Sequence, residues 1–99
     1  MKEKKYFYFA VKIEERNGEQ EYNFTYLVTV ERTPRFKNVT QKRLDRIADQ
    51  VARGWYDNDD KKPDMLDDYY EFNGGCLLAK ATGISQITKE EYEIVNRIM

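Results

Sequence analysis

Apolar and polar positions alternate through residues 5–14 and again through residues 21–31, and both stretches are rich in aromatic and β-branched side chains. A period of two marks a half-buried strand. Between the stretches stands Arg16-Asn17-Gly18-Glu19. Asn-Gly flanked by alternating runs predicts a hairpin closed by a two-residue type I′ turn. A turn centred on Asn17-Gly18 sets Phe7 opposite Val28, Phe9 opposite Tyr26, Val11 opposite Phe24 and Ile13 opposite Tyr22. These four pairs share one face, which the pattern assigns to the core, because a one-residue slip would scramble it. Phe9 and Phe24 are thus both expected to be deeply buried. The other face carries Tyr6 with Thr29, Tyr8 with Leu27, Ala10 with Thr25 and Lys12 with Asn23. Apart from Tyr6, Tyr8 and Leu27 it is polar.

The period then changes. Pro34 in the connector Arg32-Thr33-Pro34-Arg35-Phe36-Lys37-Asn38 forbids a central strand. Leu44, Ile47, Ala48 and Val51 follow at i, i+3, i+4 and i+7, which predicts a helix over residues 40–53 with Asn38 or Thr40 as N-cap. Gly54 is its expected stop, where a left-handed residue costs least. Trp55 and Tyr56 are expected to fold back over the helix end. Residues 57–68 read as a mobile acidic loop anchored only by Met65 and Leu66. Two further strands, residues 69–72 and 76–81, are predicted around Asn73-Gly74-Gly75, with Tyr70 opposite Leu77 and Tyr69 opposite Leu78. Thr88 with Glu91 fits a capping box, and Ile87 with Tyr92 a hydrophobic staple, at the start of a last helix. Tyr92, Val95 and Ile98 form its apolar stripe. The expected architecture is α+β, in the order ββαββα, with a mostly antiparallel sheet and two helices packed on one face.

Composition narrows the chemistry. The 99 residues suit a single small α+β domain, and 14% aromatic content speaks against disorder of the whole chain. There is no histidine, one serine (Ser85) and one cysteine (Cys76). Ser-His-Asp and Cys-His catalysis, and zinc held by cysteine and histidine of one chain, are therefore excluded. Cys76, beside Leu77 and Leu78, reads as a buried inert thiol. The basic start is followed by a run too short and too alternating for a signal peptide, and no apolar stretch is long enough to span a membrane. A cytoplasmic protein is the expectation.

Three features offer chemistry. The aspartates of residues 57–68 supply oxygen ligands, but Lys61 and Lys62 fall where an EF-hand loop needs a ligand and a glycine, so no metal site is assigned. Arg32, Arg35, Lys37, Lys42, Arg43 and Arg46 form a basic stretch leading into a helix N-terminus, suited to an acidic partner. Residues 1–54 hold 12 basic and 8 acidic side chains, whereas residues 55–99 hold 5 and 10. Tyr6 and Tyr8 on the outer hairpin face could anchor a protein interface or stack bases, unless Phe36 or Trp55 covers them. Asn73-Gly74-Gly75 matches neither phosphate-loop nor dinucleotide pattern.

The reading that follows is a non-catalytic binding or accessory module without cofactor. It acts through a protein partner or by self-association, using Arg32, Arg35, Lys37, Lys42, Arg43, Arg46, Tyr6 and Tyr8. Compact charged proteins of this character are common among accessory proteins of bacteria and their mobile elements. The alternative is a nucleic-acid-associated protein using the basic connector and first helix. A metal-dependent or enzymatic role of the aspartate loop stands third, and no membrane partner is expected.

Overall fold

The computed structural model describes residues 5–56, 65–66, 68–72 and 76–98. They form β1 (Tyr6–Asn17), β2 (Gln20–Glu31), α1 (Gln41–Arg53), β3 (Met65–Leu66), β4 (Tyr69–Phe72), β5 (Leu77–Ile87) and α2 (Lys89–Ile98). The strands build one antiparallel sheet in the order β2-β1-β5-β4-β3. This is the α+β fold read from the sequence, with β3 as a two-residue addition. Asn73-Gly74-Gly75 and most of the acidic stretch, residues 57–64 and 67, lie outside the described residues. Strand β4 pairs with β5 two residues away from the expected register, with Tyr70 facing Ala79 rather than Leu77 and Phe72 facing Leu77.

The hairpin forms, but its turn sits one residue later than Asn-Gly alone implies. Asn17 pairs with Gln20, leaving Gly18-Glu19 as the loop, and Gly18 takes φ +64°. Glycine at the first central position is what a primed turn favours when only that residue must be left-handed. The register therefore moves by two. Phe7 faces Val30, Phe9 faces Val28, Val11 faces Tyr26 and Ile13 faces Phe24. An even shift keeps every side chain on its expected face. The Arg32 amide donates to the Lys5 carbonyl at 2.7 Å, extending the same ladder. Even-numbered residues of β2 thus turn their backbone groups to β1, and odd-numbered ones turn theirs outward.

Helix α1 lies over the middle of the sheet. Thr40 caps it, its hydroxyl accepting from the Arg43 amide at 3.3 Å, and Gly54 ends it at φ −95°, without left-handed backbone. Ile47, Ala48 and Ala52 bury against Phe9, Val11, Ile13, Tyr70, Phe72 and Ala79. Small residues at Ala48, Ala52 and Ala79 let the helix approach β5 closely. The Tyr70 hydroxyl donates to Asp49, tying β4 to the helix. Strand β5 runs to Ile87, past the expected end at Ala81, because a bulge opposite Lys12 and Ile13 absorbs Thr82 and keeps the alternation in phase.

The two helices do not share one face. Tyr92 of α2 meets Tyr8 with ring centroids 5.0 Å apart, and Tyr8 alternates to the side away from Phe7 and Phe9. Its capping box forms as read, with Thr88 and Glu91 exchanging 3.0 Å bonds. None of the α2 side chains is fully buried, because a single ring-on-ring contact does not seat its stripe. Cys76 is exposed rather than buried, since it precedes β5 instead of lying within it.

Candidate functional site

A 13-residue helix spans roughly 20 Å, whereas a 12-residue strand spans roughly 40 Å. One helix cannot cover the hairpin. The molecule measures 48 × 30 × 24 Å, its longest dimension more than twice the length of α1. Tyr22, Phe24 and Tyr26, assigned to the core by alternation, are 41%, 41% and 50% exposed. They face the correct side of the sheet, but β2 is its edge and α1 is seated over β1 and β5.

Trp55, just past the end of α1, completes an aromatic row. Its ring lies 5.6 Å from that of Phe24 and 6.0 Å from that of Tyr26, and Tyr22 lies 6.3 Å from Phe24. The indole N–H donates to Glu15 at 3.3 Å, which fixes the ring across the hairpin. From this row a groove of about 640 Å³ opens between β2 and α1, lined by Tyr26, Val28, Val30, Ile47, Val51 and Trp55. It continues past Val30, Ile47 and Gln50 into a pocket of about 300 Å³ bounded by Arg35, Arg43 and Arg46. The groove is apolar and aromatic at one end, cationic at the other.

The structure therefore brings three of the six basic residues together, at the far end of the groove. Arg43 is occupied within the fold. Its guanidinium donates to the carbonyls of Asn38 at 2.9 Å and Arg35 at 2.8 Å, and stands 4.6 Å over the Phe36 ring. Arg35 and Arg46 remain exposed, as do Arg32, Lys37 and Lys42. Tyr6 and Tyr8 belong to the opposite face of the sheet, apart from the arginine pocket. Tyr6 is exposed, while Tyr8 is half-buried under Tyr92. Phe36 and Trp55 cover neither of them, for both pack on the α1 side.

The outer face holds a charged cluster. The Tyr69 hydroxyl donates to Glu14, Lys80 stands 3.7 Å from the same carboxylate, and Arg16 and Lys80 lie 5.1 and 4.6 Å over the Tyr69 ring. The Tyr69 hydrogen bond, aided by the two cations, holds the Glu14 carboxyl below its ordinary range. Burial and the carboxylate push the Tyr69 phenol up. Each member is engaged, Arg16 also pairing with Glu21 of β2 at 2.6 Å, so the cluster joins the strands rather than offering a free reactive group. Among the described residues no group of three acidic or cysteine side chains stands ready to hold a metal. None of the described helices is long and apolar enough to cross a membrane.

No family model, curated protein or solved structure matches the chain.

The aromatic groove is the feature that alternation misassigned. Its signal was present in lengths: four stripe positions, Leu44 to Val51, cannot cover four cross-strand pairs of a long hairpin.

Proposed function

We propose that this chain is a non-catalytic cytoplasmic binding module that takes a protein partner in the groove between β2 and α1. The observation that carries this reading is the exposed row of Tyr22, Phe24 and Tyr26 with Trp55 at the mouth of that groove. Contiguous exposed aromatics on a small protein mark contact surfaces, and Tyr, Trp and Arg carry a large share of interface energy. Arg35 and Arg46 supply charge at the rim. The nucleic-acid reading has less support, because Arg43 is used to hold the connector and Tyr8 is packed against Tyr92.

The test is photo-crosslinking in cells, with a photoreactive phenylalanine derivative placed at Tyr26 or, as control, at exposed Glu93 on α2. Covalent protein adducts from position 26 and none from position 93 are expected. Nucleic-acid adducts at position 26, or no adduct at all, would overturn the proposal.

A further inference from the structure

Strand β2 is an edge strand 12 residues long, and among the described residues nothing pairs with its outer side. Exposed edges are normally blunted by lysine, proline, bulges or brevity. β2 has none of these: its charges are Glu21 and Glu31 alone, close to its two ends, and its ladder with β1 is unbroken. The odd-numbered residues present a row of free backbone donors and acceptors alongside the aromatic groove.

The ends of this edge differ in charge. At the turn stand Glu19 and Glu21, both exposed; Glu21 pairs with Arg16 across the hairpin at 2.6 Å, so Glu19 carries the uncompensated charge. At the other end stand Arg32, Arg35 and Arg46, also exposed. Two copies laid antiparallel, edge to edge, put the acidic end of each against the basic end of the other, twice over by symmetry. Resting on the reading of this groove as a protein interface, we infer that its occupant is a second copy of the chain, joined through β2 into one continuous sheet.

Charge also selects the register. A two-fold axis at Tyr26 would set Glu21 directly opposite the partner's Glu31, and like charges in that position destabilise a sheet. An axis at Leu27 avoids this clash. It sets Tyr22 opposite the partner's Arg32 and Phe24 opposite the partner's Val30, and turns the loop bearing Glu19 toward the partner's basic connector. Even-numbered residues then remain together on the α1 side, so the aromatic row of each copy continues onto the groove of the other. A foreign strand would need its own acidic tip and aromatic row to match this surface. The second copy has both.

A charge-swap experiment tests the inference. Sedimentation is followed over a concentration series for the wild type, for Glu19→Lys with Glu21→Lys, and for Arg32→Glu with Arg35→Glu. All four substituted residues lie on exposed surface, so far-ultraviolet circular dichroism should show each variant folded. The wild type should form dimers, each double variant alone should lose them, and an equimolar mixture of the two should regain them. Dimers that persist in either double variant, or a mixture that stays monomeric, would overturn the inference. A wild type that stays monomeric while Tyr26 still crosslinks to a different protein would overturn the second copy and leave the groove's role standing. A monomer without crosslinks would remove both.

Discussion

Phe9→Ala should remove about 3–5 kcal/mol of folding stability, against about 1 kcal/mol for Phe24→Ala. Both residues belong to the same hairpin and the same face, and alternation treats them alike. Their surroundings differ. Phe9 is 0% exposed, beneath α1 and beside Val28, whereas Phe24 is 41% exposed and touches Trp55 and Tyr22. Truncating Phe9 leaves a cavity that neighbours cannot close, while truncating Phe24 mainly removes ring contacts that water replaces. For a small domain the first loss is a large share of the total. Urea midpoints of the two variants measure the contrast. Equal losses would mean that the hairpin end is covered as fully as its middle.

Tyr70→Phe should flatten the alkaline fall in stability. Burial, and then the hydrogen bond to the Asp49 carboxylate, push the Tyr70 phenol from 10.0 up to about 12. Below pH 10 the phenol is protonated in folded and unfolded chains alike, and its favourable contacts contribute in full. From pH 10 to about 12 the unfolded chain releases this proton while the folded chain retains it. Stability therefore declines as pH rises through that window, by up to about 2 kcal/mol. The phenylalanine variant lacks this contribution. It should be less stable than wild type at neutral pH and approach it by pH 12. Denaturation curves at several pH values check this, and parallel declines of the two proteins would contradict it.

How far the sequence could be read depends on which interactions are local. The strand faces were legible because a period of two survives an even slip, so Phe9, Val11 and Ile13 fall in the core in either register. The slip itself was not legible, since Asn17-Gly18 and Gly18-Glu19 both offer a glycine to a tight turn. The cap at Thr88 was legible, and that of α1 down to a choice between Asn38 and Thr40, because a cap bonds within its own first turn. The seat of α2 was not: its stripe of Tyr92, Val95 and Ile98 shows one apolar side but not which face of the sheet receives it. The end of β5 was hidden by Thr82-Gly83, which reads as a break and is accommodated as a bulge.

The candidate site fails to show in the sequence for a related reason. Tyr22, Phe24 and Tyr26 carry the pattern of core residues, and only the placement of β2 at the sheet edge leaves them exposed. That placement follows from β5 pairing with β1, a contact between residues far apart in the chain. The basic residues were found, but their division of labour was not. Arg43 binds the connector while Arg35 and Arg46 face outward, a difference set by the path of the chain around Pro34 and Phe36.

Amide hydrogen exchange resolved residue by residue along β2 tests the central claim most directly. In dilute monomer the amides of Phe24, Tyr26 and Val28, bonded to β1, should be protected, and those of Asn23, Thr25, Leu27 and Thr29 should exchange freely. At concentrations where the chain associates, the second set should become protected as well, because a partner strand now accepts those bonds. Odd-numbered amides that exchange equally fast in the associated state would contradict the account, for the occupied edge would then not be β2.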